Sequence, residues 1–253
     1  MKRVATLVYG IVAYAVFFAT FLYMIGFAGN VFVPKSIDFG GSASLAGALL
    51  NNILLLGLFA IQHTGMARPG FKKHWTRIVP RPIERSTYVL LTSLLLCLLA
   101  WRWIPMTGVV WEIHNPTTAT LLWCSFVIGW CVVLYSTVLI DHFDLFGLRQ
   151  VYLYARGMAY TPPQFAVTSL YNYVRHPLLL GFLIAFWSAP RMTLGHLVFC
   201  VVTTAYVLVA VQFEERDLVR FHGEAYEDYR RQVPMLIPSP RRMPTPQSRT
   251  GSA

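Results

Sequence analysis

Three short groups of residues carry the chemistry this chain can offer. Arg175-His176-Pro177 opens an apolar run. Proline is pre-set for a first helical position, the N–H groups behind it carry partial positive charge, and an adjacent guanidinium completes a site for a carboxylate. The tripeptide equally suits a plain helix start with an arginine among lipid headgroups. Glu214-Glu215 follows Phe213, where the next apolar run stops. Neighbouring residues on a helix point about 100° apart. The two carboxylates therefore serve different partners, one free to hold a diol or a cation and the other pairing with Arg175, Arg216 or Arg220. Ordinary ion pairs on a solvated helix end are the alternative. Tyr226 and Tyr229 share a helix face ahead of Arg230, Arg231 and a Val233-Pro234 stop. Their rings could wall a purine or face a cationic sulfur, or simply anchor at a bilayer interface.

The elements that must position these groups are apolar and long. Of 253 residues, 56% are hydrophobic and 13% charged, against about 45–50% and 25% in a soluble domain. The composition is that of an integral membrane protein. A spanning helix needs about 20 mainly apolar residues, and Ala5–Phe27, Ser44–Ile61, Thr87–Ile104 and Ala119–Ile140 meet that. The first is longer than a signal-peptide core and is read as a retained span. Cys97, Cys124, Cys131 and Cys200 all lie in apolar runs and are read as small buried hydrophobes, with neither zinc-site spacing nor a disulfide framework.

The net charge of +10 does not imply nucleic acid, because topology accounts for it. All but Lys35, Arg102 and Arg191 of the 21 Lys and Arg fall in the N-terminal stub, the second and fourth loops and the tail. With the basic side cytoplasmic, both termini lie in the cytoplasm, the bacterial inner membrane being the expected location. An even number of crossings then requires the fifth apolar region, Leu178–Phe213, to turn back on itself. Pro190-Arg191 is the break, giving legs Leu178–Ala189 and Thr193–Phe213. At 1.5 Å per residue these legs measure about 18 and about 31 Å, which sets Glu214 roughly 14 Å beyond His176 if they lie side by side. The expected fold class is all-α, one polytopic domain: four spans over 1–141, a cytoplasmic loop at 142–176, the broken hairpin at 177–213, a cytoplasmic covering segment at 214–238 and a disordered tail at 239–253. The loop, with Asp141-His142-Phe143-Asp144 directly after the fourth span and many tyrosines, is too long and aromatic for a tether.

The order Arg175-His176-Pro177, Gly181, Glu214-Glu215, Leu218, Tyr226, Tyr229 and Val233-Pro234 resembles the C-terminal signature of the isoprenylcysteine carboxyl methyltransferase superfamily of membrane methyltransferases. Tyr9-Gly10, Tyr14, Thr20-Phe21-Leu22-Tyr23, Gln62-His63-Thr64-Gly65-Met66-Ala67-Arg68-Pro69, Glu84-Arg85-Ser86-Thr87-Tyr88 and the Asp141 segment are similar to its bacterial methanethiol S-methyltransferase branch. Leu179 departs from the pattern, which often has tyrosine there, so no hydroxyl role is assigned. The resemblance implies S-adenosylmethionine as cofactor, held by Tyr173, Arg175, His176, Pro177, Leu178, Gly181, Glu214, Glu215, Tyr226 and Tyr229. The absence of a Gly-x-Gly-x-x-Gly turn agrees with it.

Methyl transfer to a small thiol needs a thiolate and hence a proton acceptor. His63, His142 and His176 are candidates, since histidine titrates near neutrality. Asp141-His142 is expected as a polarised pair near the thiol, with His63 lining the substrate and Arg175 and His176 on the cofactor side. Capping of the fourth span is the bland alternative for Asp141 and His142. His74, His114, His196 and His222 are left structural, and no metal is expected. Expected partners are the small thiol and the lipid bilayer. Rival readings are a sibling acting on a prenylcysteine carboxylate or another lipid-soluble acceptor, and a non-catalytic haem or quinone subunit. Against the latter, most histidines sit at helix ends or in loops rather than on facing spans.

Overall fold

The computed structural model describes residues 1–41, 43–163 and 165–238; the expected disordered tail lies outside them. Four long helices come first: α1 (Lys2–Gly29), α2 (Leu45–Ala67), α4 (Arg81–Arg102) and α5 (Pro116–Ile140), with the short α3 (Pro69–Trp75) between α2 and α4. Strand β1 (Val109–Glu112) precedes α5. After α5 come α6 (His142–Leu145), α7 (Leu148–Arg156), a 3₁₀ turn (Ser169–Asn172), α8 (Pro177–Trp187), β2 (Arg191–Thr193), α9 (Leu194–His222) and α10 (Glu224–Gln232). Among the described residues, five helices (α1, α2, α4, α5 and α9) are long and apolar enough to cross a membrane. The all-α expectation holds, with one two-stranded ladder added.

Each span carries a local reason for its ends. Ser44 accepts the N–H of Gly47, Asn115 that of Thr118 ahead of Pro116, and Thr193 that of His196, removing orphan donors that lipid cannot satisfy. Asn30 closes α1 in the left-handed region at φ 56°.

The hairpin breaks at the expected proline, but the break is itself structured. The chain turns at Ser188–Pro190 and runs extended over 191–193, where β2 pairs antiparallel with β1 (Trp111 opposite Met192, Glu112 opposite Arg191). Pro190 O accepts Ile113 N at 2.9 Å. On α9, His196 Nε2 and Cys200 Sγ meet Phe186 O at 2.9 and 3.0 Å, and Thr204 Oγ1 accepts Trp187 Nε1–H at 3.0 Å. The end of α8 thus sits two to three turns inside α9, and the extended segment covers the remaining depth.

That corrects the expected 14 Å step. His176 stands level with Glu215, Nε2 to Oε1 3.1 Å, because the extended segment rises about 3.3 Å per residue, not the 1.5 Å of a helix. A second correction concerns α9, which does not stop at Phe213. Its 29 residues span about 43 Å, so its last turns carry Glu214, Glu215 and Asp217 past a hydrocarbon core of about 30 Å. A third concerns the cysteines: Cys200 is buried, but Cys97, Cys124 and Cys131 are exposed on the outer surface of the bundle, where a lipid solvent makes exposure no penalty for an apolar side chain.

One face of the bundle gathers the start of α1, the C-terminal ends of α2, α5 and α9, and α6, α7, α10 and the N-terminus of α8. Tyr9 Oη meets Thr87 Oγ1 at 2.9 Å, and Arg68 meets Asp217 at 2.7 Å. On the opposite face, Asp38 accepts from Asn30 Nδ2 at 2.8 Å and from Thr193 Oγ1. Between the faces, α5 and α8 touch backbone to backbone. A methyl built on Gly129 would stand 2.6 Å from Ala185 N, and one on Gly181 2.8 Å from Gly129 O.

Candidate active site

Glu215 is the centre of a buried knot. Its side chain faces inward on α9, accepting Arg175 Nε–H at 2.7 Å and lying 3.1 Å from His176 Nε2 and 3.5 Å from Tyr226 Oη. The rest of the Arg175 guanidinium donates to the carbonyls of Arg230 (3.0 Å) and Val233. Two backbone bonds, Arg175 N to Pro234 O at 2.9 Å and His176 N to Met235 O at 3.1 Å, lay the chain after α10 alongside the start of α8. Arg175, His176 and Glu215 are thereby joined, Arg175 being one of the three partners the sequence offered for a glutamate and the expected offset of roughly 14 Å being absent.

Their exposure alters the expected roles. His176, Glu215, Tyr226 and Tyr229 are all buried, and the Arg175 side chain is 9% exposed with its Nε and Nη1 donors taken up inside the protein. It is therefore not a free carboxylate clamp. The two tyrosines do not wall an open space either. Phe165 packs against both rings, and Tyr229 Oη donates to Tyr171 O at 2.6 Å. Burial first, then neighbouring negative charge, holds both hydroxyls above their ordinary range, so they remain protonated donors. Gly181 serves the α5–α8 contact, Leu178 packs on the Phe126/Trp130 cluster, and Pro177 starts α8. Tyr173 is exposed.

Glu214 points the other way. Its side chain is 52% exposed, 3.9 Å from His176 Nδ1. Burial and then the Glu214 carboxylate push the Tyr171 hydroxyl up. The two glutamates do serve different partners, as helical geometry requires.

Asp141 and His142 do not form the expected pair. Asp141, in the left-handed region at φ 110°, accepts Asp144 N–H at 3.1 Å and faces Arg149 at 3.8 Å. It makes the turn between α5 and α6, and such a turn points its carboxylate along the new helix, away from the next side chain. His142 instead bridges two hydroxyls, with Nε2 2.7 Å from Tyr14 Oη and Nδ1 2.8 Å from Thr137 Oγ1. Thr137 already gives its one proton to Leu134 O at 2.7 Å. Its oxygen must accept from Nδ1–H, leaving the Nε2 lone pair toward Tyr14. Burial lowers the His142 pKa against the opposing Asp141 charge, so the neutral ring is favoured. An open depression of about 560 Å³ lies beside this ring on the outer surface, its wall formed by Tyr14, Phe143 and the C-terminal turn of α5.

His63 has a partner that the sequence did not single out: Tyr88 Oη at 2.9 Å from Nδ1. Phe59 stacks on the ring at 5.2 Å, and Arg85 lies 5.1 Å from the Tyr88 ring centre. Phe17 and Phe146, stacked at 3.9 Å, separate this group from His142. The five-residue spacing of Thr137 and His142 was a readable signal. Tyr14 and Tyr88 reach their histidines across 128 and 25 residues, and no spacing rule finds such pairs. Among the described residues, no group of three His, Cys, Asp or Glu is placed to hold a metal.

The chain is 53% identical to methanethiol S-methyltransferase of Mycobacterium tuberculosis over 242 residues, covering 96% of this chain and 99% of that protein. The methanethiol S-methyltransferase of Pseudomonas deceptionensis is 46% identical over 242 residues, 96% of this chain and 92% of that protein. The chain belongs to the methanethiol S-methyltransferase family. Mouse nurim is 29% identical over 185 residues, 69% of this chain and 70% of nurim. No family model matches the chain, and no solved structure does. Membership in the methanethiol S-methyltransferase family makes the chain a methyl-transferring enzyme and calls for a methyl donor. It also agrees with the family expected from the residue pattern.

Proposed function

We propose that this protein transfers a methyl group from S-adenosylmethionine to the sulfur of methanethiol, giving dimethyl sulfide, on the cytoplasmic face of a bacterial inner membrane. The observation that carries the reading is 53% identity to a methanethiol S-methyltransferase along 96% of this chain. The residues present fit such a donor: a half-exposed carboxylate, Glu214, suits a diol or a cationic sulfur, and Lys72 on α3 and Arg85 on α4 form no ion pair among the described residues. The donor, when bound, supplies an electrophilic methyl on a sulfonium.

The chain's own work is to hold, orient and deprotonate. The Arg175–Glu215–His176 knot, with Tyr226 and Tyr229, fixes α8 and α10 against α9 and so aims Glu214. Gly181, Leu178 and Pro177 set the depth of α8. His142, neutral and with Nε2 directed to Tyr14, takes the thiol proton through that hydroxyl; the thiolate is the reactive form. Asp141 shapes the turn that presents it, and His63 with Tyr88 lines the substrate side.

Headspace detection of dimethyl sulfide, after purified protein receives methanethiol and S-adenosylmethionine, tests the activity. Product with methanethiol and none with a prenylcysteine is expected; no product sinks the proposal. His142→Ala should lower turnover about 10²–10⁴-fold, the usual worth of a general base, while leaving donor affinity unchanged. Tyr14→Phe should lower it by a smaller factor. Because burial disfavours the imidazolium, the base stays neutral to lower pH than a free histidine, so the acid limb of the wild-type rate profile should fall below about pH 6.5. A limb at or above that value removes His142 from the role.

A further inference from the structure

We propose that Lys72 and Arg85, supported by Arg68, form the subsite for the carboxylate end of the methyl donor, a task the sequence pattern assigns to Arg175. The inference rests on the S-adenosylmethionine reading above and deepens it. Its ground is a mismatch of charge on the face of the bundle that carries Glu214.

Arg175, the obvious candidate, is buried against Glu215, with Nε given to that carboxylate and Nη1 to two carbonyls. A second group of cations gathers where α2, α3 and α4 meet. Arg68 ends α2 and pairs with Asp217 of α9 at 2.7 Å. Arg85 on α4 gives Nε–H to Leu145 O at 2.7 Å, lies over the Tyr88 ring, and has no carboxylate partner among the described residues. Lys72 on α3 is half-buried and likewise forms no ion pair among them.

Burial, then the Arg85 guanidinium, pushes the Lys72 ammonium below its ordinary value; Glu84 opposes this, and Arg68 adds a smaller lowering. Glu84 relieves neither cation by contact, one of its carboxylate oxygens being buried with no hydrogen bond at all. Crowded, partly desolvated like charges are unfavourable unless an anion joins them. Arg68 has Asp217; Lys72 and Arg85 are the two left with room for such an anion.

The location suits the donor. Arg68 meets Asp217, three residues beyond Glu214 on α9, and Arg85 lies over the ring of Tyr88, whose hydroxyl is 2.9 Å from His63 Nδ1. A molecule held at one end by Glu214 and at the other by Lys72 and Arg85 would cross the mouth of the His63–Tyr88 pair. Its positive sulfur would then lie among tyrosines, toward the carboxylate and away from the cations.

The test compares two ligands by calorimetry on the purified full chain in detergent: S-adenosylmethionine and its decarboxylated analogue, which lacks only the carboxylate. Wild type should prefer the intact ligand by about tenfold or more, the worth of a charge-assisted hydrogen bond. Lys72→Gln and Arg85→Gln should each bring that preference toward unity by weakening only the intact ligand. Lys73→Gln, an exposed neighbour, should keep it. Thermal unfolding of each variant guards against misfolding, and Arg85→Lys should retain part of the preference. An undiminished preference in both Gln variants overturns the assignment. So does equal weakening of the two ligands, or an effect seen only in nanodiscs containing phosphatidylglycerol, which would give the cluster to lipid phosphate. If wild type binds neither ligand while methylating methanethiol with another donor, the S-adenosylmethionine reading itself fails.

Discussion

Glu215→Ala should destabilise the purified protein by about 3–5 kcal/mol, the cost of removing one partner from a buried ion pair, and should abolish donor binding. The carboxylate is 8% exposed and meets Arg175 and His176 at once. Without it, a guanidinium stays buried with only carbonyls to accept its hydrogen bonds, and the knot joining α8, α9 and α10 loses its centre. The consequence is local as well as global: α10 and the stretch to Pro238 are tied down by Arg175 and two backbone bonds. Protease should therefore cut between Gly223 and Pro238 in the variant under conditions where wild type resists. Arg175→Met with Glu215→Leu should recover much of the thermal stability, since apolar replacement of a buried pair is often neutral, but not donor binding. Equal unfolding temperatures for wild type and Glu215→Ala would mean the knot is not structural.

Gly129→Val should be nearly as damaging, for a reason unrelated to charge. Any side chain at Gly129 meets backbone atoms of α8, 2.6 Å from Ala185 N and 2.8 Å from Gly181 O, so relief requires the helices to separate. Small residues at such a contact are what lets two membrane helices pack without a hydrophobic driving force. Overpacking costs about 1–3 kcal/mol where side chains can yield, and the upper end or beyond is expected here because backbone cannot. Gly57→Ala is the control: nothing lies within 4 Å of its added methyl, and alanine favours the helix by about 1 kcal/mol. Thermal unfolding in detergent should place Gly129→Val well below wild type and Gly57→Ala at or above it. Turnover should fall with Gly129→Val, because α8 carries His176 at its start.

The spans were legible because a bilayer imposes a length and a composition, and both are local properties of the chain. The pairing of Arg175 with Glu215 was legible too, since two polar groups at the margins of adjacent apolar runs have few other partners. Roles were harder to read. Arg175 looks like a ligand clamp by type and position; only its burial and its two carbonyl acceptors show that it is a brace. Asp141 and His142 look like a dyad because they are adjacent, yet the left-handed turn at Asp141 parts them and gives the histidine to Tyr14 and Thr137. Residue types state what a group is able to do, whereas the partners that consume its hydrogen bonds state what remains free.

The sequence by itself determined the membrane setting, the break at Pro190 and the face on which the polar groups gather. These follow from hydropathy, proline chemistry and the placement of basic residues, none of which needs a partner distant in the chain. The tertiary structure alone decided the depth at which α8 sits, because the chain leaves the helix at Ser188 and strand residues 191–193 cover about twice the distance per residue that a helix would. It also decided which cations are left without a counter-charge. Arg175 is satisfied and Lys72 is not, and that difference depends on packing among α2, α3, α4 and α9 rather than on any spacing along the chain.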